Sequence, residues 1–336
     1  MKPREKVECG VPAMLHAFPE EAPRDRLALA RWLVDTQNPL VARVVVNRQW
    51  QAFFGRGIVQ TTEDFGTQSS LPTHPRLLDW LAIEFMERGW SLKHIRRLIA
   101  SSAVYQQRSV VTPELLERDP ENLLLARGPR VRVSGEMVRD IVLVASGLLT
   151  WEIGGPSVYP PQPEGITEIS YGTLDWKTNT GPGRFRRGLY TYAKRTNPYA
   201  LFGTFDAPSG ETCVVRRDRS NTPLQALTVL NDAALLEAAR AMALHELRVG
   251  PTMVEARIDD IFRRFLTRPA DREERAAIGT FYHRQLERFR GGELQAADLV
   301  ATSPEDAPPG VDLDEWAAWT VVARSVMNFD ETITKE

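Results

Sequence analysis

The sequence predicts a mainly α protein, a helical domain with a long irregular Pro/Gly-rich insertion and room for a small two-stranded β element. Three observations predict it. Apolar residues recur at three- and four-residue spacing through most of residues 24–150 and again through 222–336. Between these blocks, residues 153–183 hold five of the chain's 23 prolines and many glycines, which forbids helical continuity. Residues 184–232 then crowd arginines, aromatics, Asn and Asp into non-periodic sequence, and a segment that aromatic is expected to be ordered.

The expected organisation is an N-terminal arm over residues 1–23, a helical part over 24–150, a loop-rich insertion over 151–221 and a second helical part over 222–336, forming one compact unit. The arm is Pro-rich and aperiodic. The first helix follows Arg24, with Leu27, Leu29, Ala30, Leu33 and Val34 as its apolar face. Asn38-Pro39 supplies a cap and a first-turn proline for the next helix, which ends at Gly55 and carries Arg43 and Asn47 on one face. After a loop with Glu63 and Asp64, Thr73-His74-Pro75 opens a helix with Leu77, Leu78, Leu81, Ile83 and Phe85 at core spacing. Ser91 caps another, with Leu92, Ile95, Leu98 and Ile99 inward. Residues 109–133 are polar and Pro-punctuated, and Ser134-Gly135-Glu136 starts a helix that turns Met137, Ile141, Val144 and Leu148 to the core.

In the insertion, residues 187–194 (RGLYTYAK) alternate like a strand, and residues 212–215 (TCVV) are the candidate partner. Asn221-Thr222-Pro223 starts a helix expected to run to about Leu247. Helices over 251–267 and 271–290 follow, then a Pro-rich loop at 303–310 and a final helix.

Composition bounds the function. Of 336 residues, 43% are hydrophobic and 26% charged, enough to bury a core. A net charge of −2 gives no pull toward nucleic acid. The charge is uneven: residues 184–219 hold eight Lys/Arg against three Asp/Glu, a local +5 that leaves about −7 elsewhere. A basic patch on an acidic body suits an anionic ligand. Two cysteines, Cys9 and Cys213, leave a disulfide open. Five scattered histidines show no metal-ligand spacing, no CxxCH haem motif occurs, and no cofactor is evident. No apolar run is long enough to span a membrane, and the first residues have no apolar signal segment.

Several strings carry a resemblance. RLALARWLVDTQNPLVARVVVNRQWQAFFGRGIVQTTEDFG, LPTHPRLLDWLAIEF, GWSLKHIRRLIASSAVYQQ, RGLYTYAKRTNPYALFGTFDAP, VVRRDRSNTPLQALTVLND and WTVVARSVMNFDETITKE follow one another in order. Over nearly its whole length the chain resembles the domain of unknown function 1553 family, the planctomycete surface-domain family. That resemblance implies an exported or cell-envelope setting, at the C-terminal end of a precursor. Upstream would lie a second domain of unknown function (1549) and often a planctomycete-type cytochrome c domain, and such an upstream domain would be a partner. The opening KPREKVECGVPAML reads like the interior of that pattern, as in a piece of a longer precursor. The family brings no catalytic residues with it.

The candidate ligand-binding residues are therefore read from the insertion: Arg187, Arg195, Arg216, Arg217 and Arg219 for an anion, Tyr192 and Trp176 for stacking, and Asn221 at the helix start. Arginine forks take sulfate, phosphate or carboxylate; equally, these arginines can pair internally with Asp206, Glu211, Asp218, Glu63 and Asp64 and pin the loop down. The aromatics either form a sugar cleft or fill a core beneath the loop, with Trp176 and Tyr171 expected to be the most exposed. Glu63, Asp64, Glu164, Asp206 and Asp232 are candidate acid/base carboxylates, Asp206 first among them as the catalytic residue. Three functions fit: an accessory module binding anionic or sulfated polysaccharide, a carboxylate-dependent hydrolase acting on glycans, and a structural partner of an upstream module.

Overall fold

Fourteen α-helices and one two-stranded antiparallel sheet form the regular structure of the described residues, which are 50% helical and 3% strand. The computed structural model describes residues 9–163, 176–195, 197–301, 303 and 307–335. Glu164 and Tyr171, both candidates from the sequence, lie outside them. The chain divides into two compact units, Met1–Val131 and Arg132–Lys335.

The first unit contains α1 (Arg26–Leu33), α2 (Val41–Phe54), α3 (Pro75–Glu87), α4 (Leu92–Ala100) and α5 (Pro113–Arg118). Helices α2, α3 and α4 pack on one another around Val46, Trp50, Leu81, Phe85, Ile95 and Ile99. Helix α2 begins at Val41, two residues later than expected, yet the Asn38 side-chain oxygen still accepts from the Leu40 and Val41 N–H groups at 3.0 and 3.2 Å. It ends on Gly55 in the left-handed region. Asn47, fully buried on α2, exchanges two hydrogen bonds with the Val59 backbone at 3.0 and 2.9 Å. Gly57 passes so close that a Cβ would sit 2.5 Å from the Val59 oxygen and 2.6 Å from the Asn47 amide nitrogen.

The expected face of α1 is corrected. Ala28 and Trp32 are buried, whereas Leu27, Leu29, Leu33 and Val34 stand largely exposed. Apolar residues surround this short helix, and periodicity alone cannot choose among its faces. The choice is made by the arm before it: Trp32 stacks on His16 at 4.7 Å and donates its indole N–H to the His16 carbonyl at 3.0 Å.

The second unit opens at Arg132, the last residue of β1 (Val131–Arg132), the strand that pairs with β2 (Thr334–Lys335) in the two-stranded sheet. The Val133 N–H donates to the Ile333 carbonyl at 3.0 Å, so the two ends of the unit are tied together. Between them run α6 (Gly135–Ala145), α7 (Ala200–Thr204), α8 (Pro223–Asn231), α9 (Ala233–Arg248), α10 (Val254–Leu266), α11 (Arg272–Arg290), α12 (Ala296–Val300), α13 (Leu313–Met327) and α14 (Asp330–Ile333). Helix α13 is central and packs against α8, α9, α10, α11, α12 and α14. Alanines 317, 318 and 323 of α13 are fully buried, and α9 is Ala-rich; small side chains let packed helices approach closely. Trp319 is fully buried there, stacked on Tyr282 at 4.2 Å.

Three more expectations are corrected. The β element lies at the ends of the unit: within residues 187–194 there are a 3-10 turn, Gly188–Tyr190, and a single bridge from Thr191 to Val158, and residues 212–215 are not a strand. Tyrosine alternation favours extended backbone, but Gly188 lets the chain turn tightly against α6 instead. The helix from Pro223 is interrupted at Asp232, whose carboxylate caps a new helix by accepting from the Ala234 and Leu235 N–H groups at 2.9 and 3.1 Å. On α6, Val138 and Val142 are buried while Met137 and Val144 are half exposed, so the buried face is turned one residue from the expected one. Both cysteines are free thiols.

Glu246 on α9 is fully buried, and neither carboxylate oxygen has a hydrogen bond. The nearest cation is the Arg264 Nε at 3.4 Å. Burial first, then the charge of Asp260, push its carboxyl up to about 7. Two carboxylates here repel, and one proton between them turns the contact into a hydrogen bond. A folded pKa above the ordinary 4.5 means the folded state holds the extra proton between about 4.5 and 7. Stability therefore falls as pH rises through that window, by on the order of 3 kcal/mol at most, and this contribution is constant above it. Glu246→Gln is expected to flatten that dependence and to gain most over the wild type at pH 8. Urea unfolding of both proteins at pH 5 and pH 8 checks this, and parallel pH profiles for the two would refute it.

Candidate functional site

The site is built on α6. Its first two turns present Glu136 and Asp140, four residues apart and therefore on one face. Gly188 lies directly against this helix: a Cβ there would come within 2.8 Å of the Glu136 Cα and carbonyl oxygen, so only glycine fits. The Gly188 N–H then donates to Asp140 Oδ1 at 2.6 Å, and Arg187 Nε donates to Asp140 Oδ2 at 2.8 Å. One turn earlier, Arg217 Nη1 lies 2.9 Å from both Glu136 oxygens. Burial would raise the Glu136 carboxyl, but hydrogen bonds from the backbone and from Arg217 outweigh it and hold the group below the ordinary glutamate value.

These contacts frame a groove of about 610 Å³. Its cationic lining is Arg187, Lys194, Arg195 and Arg217, against the two carboxylates, a net of +2. Tyr192, Tyr199 and Phe202 contribute rings. Arg195 is exposed and, among the described residues, makes no hydrogen bond or ion pair. Arg187 and Arg217 commit only one nitrogen each, Nε and Nη1, out of five N–H donors per guanidinium.

The other arginines of the first cluster point inward. Arg184 pairs with Glu237 on α9. Arg186 is buried over the Tyr190 ring at 3.7 Å and donates to the carbonyls of Pro156 and Gly154. The acidic partners are thus Glu136, Asp140 and Glu237, from α6 and α9, and not the loop carboxylates expected from the sequence. Glu63 accepts from its neighbour Thr62, and Asp64 accepts from the Gly66 N–H, so each closes its own turn.

Trp176 is corrected from exposed to buried. It stacks on Tyr199 at 5.9 Å, meets Tyr159 edge-on at 5.2 Å and donates its indole N–H to the Pro160 carbonyl at 2.8 Å. It supports the groove from behind, while Tyr192, stacked on Tyr159 at 4.8 Å, reaches the lining. Deeper still, Arg139, Tyr199 and Asp232 form a buried polar group. Burial lowers the arginine there and raises the tyrosine and the aspartate.

Asp206 lies outside the groove, in a recess of about 30 Å³ that it shares with Arg217, Asp218 and Arg219. Ser220 engages its carboxylate through the backbone N–H at 2.7 Å and the hydroxyl at 2.8 and 3.0 Å. Ser220 Oγ also accepts from Gln225, which in turn accepts from Arg132 at 3.0 Å. Burial, then the Arg217 charge, lower Arg219 below the ordinary arginine value. Arg216 and Asn221 are exposed and line neither cavity, and the cap of α8 is Thr222, whose hydroxyl accepts from the Gln225 N–H at 3.4 Å. Of the candidate residues, the fold therefore brings Arg187, Arg195, Arg217 and Tyr192 together. Lys194, of the same basic cluster, joins them, and Glu136 and Asp140 supply the acidic part of the lining without having been singled out. The signal for the two carboxylates was their four-residue spacing just after a Ser-Gly helix start.

Among the described residues no group of three or more His, Cys, Asp or Glu is placed to hold a metal ion, and no helix is long and apolar enough to cross a membrane. Residues 25–282 match the model of a family described as PSD1, protein of unknown function (DUF1553). No curated protein and no solved structure matches the chain.

Asp206 adopts a left-handed backbone (φ 58°), which Asp and Asn tolerate better than Ala does. Asp206→Ala is expected to destabilise the second unit by about 1–3 kcal/mol, through the orphaned Ser220 groups and the strained backbone. Asp206→Asn keeps an acceptor and costs less. Chemical denaturation of the two variants gives the comparison, and equal stability would remove the clamp interpretation.

Proposed function

Because the chain belongs to the family described as a protein of unknown function (DUF1553), which supplies no activity, we propose from the groove's own chemistry that it is a binding module for an anionic, ring-bearing polymer. Sulfated or acidic polysaccharide is the class that suits it. The observation that carries this reading is the division of labour among the arginines. Glu136 and Asp140 fix Arg217 and Arg187 through one nitrogen each, which leaves the other donors of both forks for an incoming anion. Arg195, with no partner among the described residues, adds a third cation, and Tyr192 and Phe202 offer ring faces beside it. A polysaccharide ligand agrees with the exported, cell-envelope setting that the family resemblance implies, where an upstream domain of the same precursor would be its neighbour.

A carboxylate-dependent hydrolase in the same place is the second reading, favoured by two carboxylates on one face of α6. An acid/base pair needs one protonated member at working pH, and Glu136 is held in the opposite direction. Asp206, first of the acid/base candidates named from the sequence, has both oxygens on Ser220.

Dextran sulfate and unsulfated dextran, each titrated into the full chain, test the proposal. The sulfated polymer is expected to bind, more weakly as salt is raised, and the neutral one is not. Arg195→Ala should weaken binding roughly fivefold, from an exposed charge contact of about 1 kcal/mol. Arg118→Ala on α5, which removes the same charge far from the groove residues in sequence, should leave it unchanged. Equal binding by the two variants, or none by the wild type, sinks the proposal. Release of reducing ends that depends on Glu136 or Asp206 would establish the hydrolase instead.

A further inference from the structure

A strap of chain, residues 207–219, borders the groove and is tied to the molecule at few points. Its two ends are held together by the hydrogen bonds between Asp206 and Ser220, with Asp206 in the left-handed region. Two parts of the strap line the groove. Ala207, Pro208, Ser209 and Gly210 form one limb, and Arg217 the other. A Cβ on Gly210 would lie 3.7 Å from the Arg195 Cγ, so the first limb rests against that cation. The residues between the limbs therefore form an arc that starts and ends at the rim of the groove.

Within the arc little holds the chain in place. Every residue over 209–219 is exposed. Among the described residues, 208–219 take part in no backbone–backbone hydrogen bond. The Glu211 N–H donates to the Ser209 hydroxyl at 3.3 Å, which only closes a local turn. The polar tie from the strap to the rest of the fold, among the described residues, is Arg217 on Glu136, at 2.9 Å to both carboxylate oxygens. Loops with close ends and a water-exposed backbone sit at the low-stability end of a structure. A half-exposed ion pair is weak enough for thermal motion to break it. Apolar groups are also left unmatched on both sides. Val214 and Val215, in the arc, are exposed and lie outside the core. Met137 and Leu189, in the groove lining, are exposed as well.

We propose that this strap is a clasp for the groove: it swings about the Asp206–Ser220 junction, is latched by the Arg217–Glu136 pair, and closes over a polymer that lies in the groove. The clasp rests on the polymer-binding reading of that groove. Breaking the latch lifts Arg217 and the arc away from α6 and opens the groove along its length. Re-forming it brings Val214 and Val215 down toward Met137, Leu189 and the carbon faces of the bound rings, where their apolar surface leaves water. Arg217 keeps Glu136 through Nη1 and turns its remaining donors to the ligand's anion, so latch and ligand hold the same limb in the same position. A ligand that binds the closed form better shifts the strap toward it.

The chain carries its own reporter. Cys9→Ser leaves Cys213, in the arc, as the only thiol, and a nitroxide attached there reads the strap's motion on the nanosecond scale. Without ligand, Glu136→Gln in this background is expected to shift the spectrum toward its mobile component. Dextran sulfate should shift the parent toward the immobile component, and unsulfated dextran should leave it as it is. Val214→Ser with Val215→Ser, in the unlabelled chain, changes two exposed side chains and neither latch partner. It should speed dissociation of dextran sulfate roughly fivefold and change association little. A label equally mobile with and without Glu136→Gln overturns the latch and the proposal with it. So does a label that stays unmoved while calorimetry shows dextran sulfate bound, or dissociation that ignores the valine substitutions. Failure of dextran sulfate to bind the unlabelled chain removes the polymer reading and the clasp together, whereas binding with an unresponsive strap removes the clasp alone.

Discussion

The contact between Gly188 and the first turn of α6 is the constraint on which the rest of the second unit's irregular segment depends. Without a side chain at 188, the chain packs so closely on the helix that an added Cβ would lie only 2.8 Å from the Glu136 Cα and carbonyl oxygen. At that distance the Asp140 carboxylate can accept from both a backbone N–H and the Arg187 guanidinium. The approach sets the turn, the turn sets Arg187, and the chain beyond it delivers Tyr192 and Arg195 to the groove. A β-branched or larger residue at 188 would lift this whole segment off its support.

A long segment with little helix or sheet must still satisfy its backbone polar groups. Here side chains do what a ladder would do elsewhere. Arg186 takes the carbonyls of Pro156 and Gly154, Trp176 takes that of Pro160, Tyr199 that of Pro161, and Arg139 that of Arg184. Arginine and aromatic side chains suit the task because each joins a long apolar body to a donor at its tip. The same composition that suggests a ligand site from sequence is therefore also what an irregular segment needs to stay folded. The two uses separate only in three dimensions: Arg184 and Arg186 are struts, Arg195 is not, and Arg187 and Arg217 are both strut and surface.

That ambiguity explains which parts of the molecule were legible in the sequence. Helices closed by strong local signals were: Ser91, Thr222-Pro223 and Gly55 mark their helix ends through their own side chains or backbone freedom. Helix faces were less so. In α1 and α6 apolar residues occupy more than one face, and what is buried is decided by the partner: His16 covering Trp32, or the core accepting Val138 and Val142. The strand expected over 187–194 failed because alternation of tyrosines is a statement about side chains, while Gly188 acts through backbone proximity that no pattern records. In the site, the arginines were visible as a cluster, but Glu136 and Asp140 lie 47 and more residues away in sequence from the arginines they hold. Long-range pairing of that kind has no local signature.

The charge of the groove follows from the same pairings. Had each arginine met a carboxylate through a bidentate fork, the segment would be pinned and the surface neutral. Instead Glu136 receives a single nitrogen of Arg217 across both its oxygens, and Asp140 divides its oxygens between Arg187 and a backbone N–H. Positioning is achieved with two negative charges for four positive ones in the lining. The geometry thus orients the arginines without saturating them, so one segment both holds the scaffold and leaves guanidinium N–H groups facing the groove.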